Sequence, residues 1–106
     1  MKHLFIVILL SASAAANAAQ TIAAYVNGMV CAFCAQGIEK KARALPQTED
    51  VYVNLKQKVV AVQVREGQSL SGDAIKALVK EAGYDVTTIE TVDETTAAMR
   101  ARMEHE

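Results

Sequence analysis

Two short runs of alternating apolar residues in the middle of the chain constrain its fold most. The first run is Val51, Val53 and Leu55, and the second is Val60, Val62 and Val64. A period of two is typical of strands with one buried face, and the charged segment 56–58 between the runs is short enough to be a turn. The pattern therefore predicts a β-hairpin at the centre of the fold.

A helix is predicted on each side of this hairpin. Before it, apolar positions recur at helical spacing from near Cys34 to Leu45, and Pro46 ends the helix because it disfavours helical backbone in the preceding residue. After it, Ser71 is the predicted N-cap of a second helix, and Gly83 supplies its C-terminal stop.

Further strands are predicted at 21–26 and 84–90, which complete a β-α-β-β-α-β order. This order is typical of the ferredoxin-like α+β fold, a sandwich of a four-stranded antiparallel sheet with two helices on one face. We expect one domain over 19–90. Segment 91–106 has weak helical propensity and no apolar stripe, so we expect a polar, flexible C-terminal tail.

Residues 1–18 have the order of a secretory signal peptide. Lys2 precedes the apolar run 4–10, and small residues follow, ending in Ala16-Asn17-Ala18. We expect cleavage after Ala18 and export across the inner membrane to the periplasm. The apolar run is shorter than a membrane-spanning helix, so no membrane insertion is expected after processing.

Composition excludes several classes of function. Lys plus Arg is 11 and Asp plus Glu is 12, a formal net charge of −1, which gives no electrostatic reason to expect nucleic-acid binding. Two cysteines cannot build the multi-bridge framework of a disulfide-stapled scaffold. A chain of 106 residues has too little length for most enzyme classes, and we expect no enzymatic activity.

Cys31 and Cys34 stand where the first strand passes into the first helix. The N-terminus of a helix stabilises thiolates, and two thiolates on one loop form a soft bidentate ligand. This ligand count favours one Cu(I) or Hg(II) ion per monomer over zinc, which usually takes four protein ligands in structural sites. Two alternatives remain open: a thiol–disulfide redox pair, and a structural disulfide that closes only a short loop.

The wider window, GMVCAFC at 28–34, closely resembles the Gly-Met-x-Cys-x-x-Cys loop of heavy-metal-associated domains. The resemblance covers 21–90 and includes Val-Asn-Leu at 53–55 and Ala-Gly-Tyr at 82–84. With the predicted signal peptide, the chain is similar to periplasmic mercuric-ion-binding proteins and exported copper-chaperone-like proteins. The resemblance implies a ferredoxin-like fold and a site, Cys31 and Cys34, that passes metal ions between partners.

The implied partner is a metal-transporting membrane protein or another thiol metal-binding domain. A monomer is expected, with a metal-bridged dimer as the alternative. Met29 is expected to fill the core, and Gly28 to give the loop backbone freedom. Tyr84 is expected beside the metal loop or in half-buried packing, and Phe33 either shields the ion or packs on the surface. The family usually has Thr or Ser where this chain has Val30.

Two further groups of side chains have a predicted role and a simpler alternative. The first helix has a basic face, which we expect next to the site, formed by Lys40, Lys41 and Arg43. This face either is only solvated or docks an acidic partner. In the tail, Met99, Met103 and His105 are of types that bind copper, but without a folded frame we expect no site there.

Overall fold

The protein is described by a computed structural model that covers residues 19–105. The predicted signal peptide, 1–18, lies outside the described residues. The elements in chain order are β1 (Gln20–Asn27), α1 (Ala32–Arg43), β2 (Thr48–Asn54), β3 (Val59–Val64), α2 (Gly72–Glu81), β4 (Asp85–Val92) and α3 (Thr96–Met103). No helix within 19–105 has the length and apolarity needed to cross a bilayer.

The four strands form one antiparallel sheet in the order β2-β3-β1-β4. Helices α1 and α2 cover one face of this sheet and confirm the predicted ferredoxin-like arrangement. The buried residues of this layer include Ile22, Ala24 and Val26 of β1, Val60 and Val62 of β3, Ile38 and Ala42 of α1, and Ile75 and Val79 of α2. The strand residues of this set are two apart in the chain, so their side chains point to the same face of the sheet, the one that the two helices cover.

The start of α1 differs from the prediction in a way that matters for the cysteines. The helix begins at Ala32 rather than near Cys34, because Cys31 has extended backbone and its sulfur accepts a hydrogen bond from the Cys34 amide at 3.1 Å. Cys31 is therefore the N-cap, and Cys34 lies in the first turn. At the other end, the Thr48 hydroxyl donates at 2.6 Å to the Ala42 carbonyl, which also accepts the Leu45 amide at 3.2 Å.

The second helix begins where the sequence predicts. Ser71 is the N-cap, and its hydroxyl accepts the Ala74 amide at 3.2 Å, while Asp73 lies in the first turn. The chain passes through Gly83, at φ +93°, into β4.

The C-terminal segment is a helix, not the flexible tail that we expected. Thr95 caps α3 by accepting the Ala98 amide at 3.0 Å. Met99 and Met103, one helical turn apart, are 1% and 4% exposed, because they pack on the sheet face opposite α1 and α2. Their partners on the sheet are Ala23, Tyr52, Val59 and Ala61. Both faces of the sheet are therefore covered.

Polar contacts fix the start of α3 to the sheet. The Thr96 amide donates to the Gln63 side chain at 3.0 Å, and the Thr96 hydroxyl contacts both Gln63 and the Asp50 carboxylate. On the other side, Asp50 pairs with Arg43 at 3.5 Å. Asp50 thus joins the end of α1 to the start of α3 across strand β2. Further along α3, Arg100 stacks over the Tyr52 ring at 5.1 Å from its centroid.

Replacing Met99 by Ala should lower the free energy of unfolding by about 2–5 kcal/mol, the usual cost of truncating a fully buried methionine. Urea denaturation at pH 7 measures this loss. Glu104→Ala is the control, because Glu104 is exposed at the end of the same helix and should change stability by less than about 0.5 kcal/mol. Equal effects of the two variants would show that α3 does not pack on the sheet.

Asp50 should make this contact sensitive to acid. Burial by itself raises the pKa of Asp50, but hydrogen bonds from Thr96 and the Val51 backbone and the charge of Arg43 together hold that pKa below its usual 3.8. A carboxylate with a lowered folded-state pKa contributes stability that is present above the unfolded-state pKa and is lost as pH falls through the folded value.

We therefore expect Asp50→Asn to be less stable than the parent protein at pH 7, with a difference that shrinks as pH falls below about 3.9. Urea denaturation of both proteins between pH 7 and pH 2.5 measures it, with Glu104→Gln as the control. A difference that does not change with pH would mean that ionised Asp50 contributes nothing to the contact.

Candidate metal centre

The loop between β1 and α1 is fixed at both of its ends. Val26 is buried, and its amide donates to the Lys58 carbonyl in the β2–β3 turn at 2.8 Å. Gly28 then turns the chain with φ +82°, a conformation that costs a side chain roughly 1–2 kcal/mol. The next side chain, Met29, is fully buried in the layer beneath α1 and α2. The loop is thereby anchored to the core immediately before the cysteines.

The two cysteines lie at the start of α1 with their Cα atoms 5.3 Å apart. Their sulfurs form a disulfide, so the described site is the oxidised form of the pair. Both residues are partly exposed. Because a metal binds thiolates, reduction of this bond is needed before both sulfurs can act as ligands.

The electrostatics of α1 favour negative charge on these sulfurs. The first turn contains no acidic side chain, and the basic residues of the helix are in its last turn. The helix dipole places positive potential at the end where the sulfurs lie. Over residues 19–105 no group of three or more His, Cys, Asp or Glu side chains could hold a metal. Two sulfurs close together at a helix N-terminus are a donor set that would suit a two-coordinate soft ion.

The side chains around the sulfurs are largely apolar. Val30 is 71% exposed and Phe33 is 84% exposed, so neither packs into the fold. Tyr84 is half-buried against the core, and its Cδ1 lies 3.9 Å from the point where a Cβ on Gly28 would stand. Tyr84 therefore lies beside the loop and also packs against the core.

The structure does not place the basic residues of α1 beside the cysteines. Lys40, Lys41 and Arg43 are in the last turn, and Lys40 is about 9 Å further along the helix axis than Cys34. Lys41 pairs with Glu81 at 3.7 Å, while Arg43 lies 3.8 Å from Glu39 and 3.5 Å from Asp50. The expectation of a basic face next to the site is wrong, because the three residues lie in the last turn of α1 and the cysteines lie at its start.

The β2–β3 turn supports the loop in a way that sequence reasoning missed. The Asn54 side chain accepts the Gln57 amide at 3.0 Å and donates to the Tyr52 hydroxyl at 3.0 Å. These bonds order the turn whose Lys58 carbonyl receives the Val26 amide. The available signal was an Asn just before the turn, a residue whose side chain often bonds to nearby backbone amides.

The sequence model of the heavy-metal-associated domain matches residues 24–85, which is more than half of the chain. The chain therefore belongs to the heavy-metal-associated domain family. The match includes both cysteines and leaves α3 outside it.

The individual relatives are proteins that handle metals. Copper-transporting ATPase 1 of Rhizobium meliloti (strain 1021) is 39% identical over 61 residues, which is 58% of this chain and 7% of the ATPase. This chain thus spans only a small part of that relative. A yeast copper transporter domain, solved in apo and Cu(I)-loaded states, is 28% identical with a TM-score of 0.54, over 73% of this chain and 100% of that one.

Oxidised MerP from Ralstonia metallidurans CH34 has a similar backbone. Its TM-score is 0.58 at 22% identity, covering 69% of this chain and 99% of the MerP chain. At this identity the likeness supports the shared fold alone.

Replacing Gly28 by Ala should destabilise the protein by about 1–2 kcal/mol, because φ +82° is unfavourable for a residue with a Cβ. Urea denaturation with the disulfide intact measures this. Gly37→Ala is the matched control: it lies inside α1, an added Cβ meets nothing within 4 Å, and stability should rise by about 0.5–1 kcal/mol. A neutral Gly28→Ala would show that the loop does not need a positive φ.

Proposed function

We propose that the reduced chain binds one soft metal ion, Cu(I) or Hg(II), between Cys31 and Cys34 and delivers it to a thiolate site on a partner protein. The donor set of two sulfurs at a helix N-terminus carries this proposal. Tetrahedral zinc needs four ligands in a structural site, which this loop does not supply. Membership in the heavy-metal-associated domain family supports metal binding and transfer as the class of function.

Transfer would occur by ligand exchange. A partner thiolate would form a third metal–sulfur bond to the ion held by Cys31 and Cys34, and one of the two original metal–sulfur bonds would then break. A second partner thiolate would displace the remaining cysteine in the same way, which completes the transfer. Each released sulfur would take a proton from solvent, and the ion keeps its oxidation state throughout. No bond within a substrate is made or broken other than bonds to the metal, so we propose a carrier and not an enzyme.

Copper is the first ion to test. The Rhizobium ATPase is named as copper-transporting, and the yeast domain was solved with Cu(I). Mercury remains a candidate because Hg(II) also accepts two sulfurs in a near-linear arrangement. The ATPase relative further suggests a partner of the kind expected from the sequence, a metal-transporting membrane protein or another thiol metal-binding domain.

The proposed location is the periplasm, and it rests on the signal-peptide pattern of 1–18. An exported chain meets oxidising conditions, in which a pair like Cys31 and Cys34 forms a disulfide unless a metal or a reductant protects it. The oxidised form would then be the state without metal, and the reduced form the state that carries it.

The alternative is a small thiol–disulfide redox protein that uses the same two cysteines, and the disulfide in the structure is the observation that favours it. Such a protein cycles at a defined reduction potential and accelerates disulfide exchange in a second protein. A carrier instead holds one ion per monomer and releases it to a competing thiolate site.

We expect Cys31→Ser and Cys34→Ser each to lower the affinity of the reduced protein for Cu(I) by at least 100-fold, because one thiolate cannot form the two-coordinate site. Native mass spectrometry with Cu(I), Hg(II) and Zn(II), in competition with chelators and without oxygen, measures stoichiometry and affinity. Ser71→Ala is a folded control far from the cysteines in the sequence, and it should bind as the parent does.

Loss of binding should occur without loss of the fold, since both cysteines are partly exposed. Circular dichroism of each variant checks this. Retention of tight Cu(I) and Hg(II) binding by either serine variant would contradict the two-thiolate site. Absence of any metal that survives competition, together with rapid disulfide formation, would favour the redox alternative.

A further inference from the structure

The surface around the cysteines is unusual for its exposed apolar side chains. Val30 and Phe33 are the large hydrophobic residues that stand out as exposed among residues 19–105, and Ala32 between them is also exposed. Single exposed apolar residues are common on proteins, but Val30 and Ala32 flank Cys31, and Phe33 directly precedes Cys34. We call Val30, Ala32 and Phe33 the apolar rim.

The fold does not need the side chains of the apolar rim. Both buried clusters of the protein form without Val30 and Phe33. Met29, their neighbour, is fully buried and anchors the loop. The exposure of the two large side chains is therefore a consequence of the loop geometry, which keeps one side chain inside and leaves the next ones outside.

Charge is absent from the segment that carries the rim. Segment 28–34 contains no acidic or basic residue. The basic residues of α1 lie at its opposite end, where Lys41 and Arg43 form ion pairs within the molecule. The neighbouring elements carry exposed charges, among them Lys58 in the β2–β3 turn and Asp85, which pairs with Asn27, so the absence of charge applies to segment 28–34 itself.

A shallow groove continues the rim along one side of α1. It has a volume of about 260 Å³, and its lining is mixed: the apolar Ala32, Ala35, Val53 and Leu55, together with Gln36 and Glu39. A protein that covers the rim can extend into this groove and bury further apolar surface.

Ligand exchange forces contact with the rim. The incoming sulfur must come within bonding distance of an ion held by Cys31 and Cys34, and Phe33 lies between these residues in the chain while Val30 directly precedes them. We propose that the apolar rim is the docking surface for transfer, and that its occupant is a protein whose own thiolate pair is bordered by apolar side chains. This inference rests on the proposed function and specifies the partner's surface.

A copy of this chain is a suitable probe for such an acceptor, since it presents a thiolate pair with the same rim. Cu(I)-loaded protein is mixed with reduced, ¹⁵N-labelled apo protein, and the rate at which labelled copies acquire the ion is followed by native mass spectrometry. Dithiothreitol serves as a second acceptor, because a small thiol needs no docking surface. Each rate is measured from fully loaded donor in 50 mM and in 500 mM NaCl.

We expect Phe33→Ser in the donor to slow exchange between copies about tenfold, and Val30→Ser to slow it less, because less apolar area is buried. Transfer to dithiothreitol should change less than the exchange between copies does. The exchange rate should also vary less than about twofold between the two salt concentrations, since apolar contacts are not screened. Lys40→Ala, the test of electrostatic docking by α1, should exchange as the parent does.

Equal exchange rates for Phe33→Ser and the parent would overturn the proposal, as would a steep fall in rate at high salt or with Lys40→Ala. If Phe33→Ser slowed transfer to dithiothreitol as much as transfer between copies, the proposal would also be overturned. The substitution would then act on release of the ion from the cysteines and not on docking. A stable dimer in light scattering, or binding to lipid vesicles that is lost in Phe33→Ser, would assign the rim to a different occupant. A parent protein that does not load Cu(I) or Hg(II) would refute the proposed function itself, and this inference with it.

Discussion

Burial of strand β1 on both faces is the constraint on which the rest of the structure depends. The strand pairs with β3 on one side and β4 on the other, so its backbone groups are satisfied within the sheet. Ile22, Ala24 and Val26 pack beneath α1 and α2, while Ala23 packs beneath α3. A strand held in this way is a rigid base, and the loop that follows it takes a defined position.

The cysteine pair owes its placement to that base. The buried side chains of Val26 and Met29 fix the chain on both sides of a short turn. Gly28 lies in this turn and has the positive φ that it requires. Once Met29 is inside, Cys31 must emerge at the surface and cap α1. The cysteines are therefore held by a loop anchored in the core and remain accessible from solvent. A carrier that exchanges ligands with a partner needs both properties.

Helix α1 separates two kinds of surface. Its N-terminal end carries the sulfurs and the apolar rim, and its C-terminal end carries basic residues that pair with Glu81, Glu39 and Asp50. Asp50 also contacts Thr96, so the charged end of α1 is tied to α3. The basic residues of α1 and the exposed cysteine loop are thus at opposite ends of the helix.

Local sequence patterns were sufficient to predict much of the fold and the position of the cysteine loop. Alternation in 51–55 and 60–64 predicted the hairpin, Ser71 predicted the start of α2, and the residues at 28–34 predicted the cysteine loop, because each depends on interactions between neighbours in sequence. The third helix was not predicted, since α3 has only two core-facing methionines and is held by β1, β2 and β3. One sequence signal for it existed: Val59 and Ala61 alternate with Val60 and Val62, so β3 is apolar on both faces.

Sequence by itself determined the order of elements, the pairing of two cysteines at the start of α1 and the turn at Gly28, because residue type and spacing set local conformation. Tertiary structure alone decided that the tail covers the second face of the sheet and that Phe33 stays in solvent. It also decided that Lys41 and Arg43 of α1 pair with acidic residues of the same molecule. These outcomes depend on which surfaces meet when distant segments pack, and no local pattern contains that information.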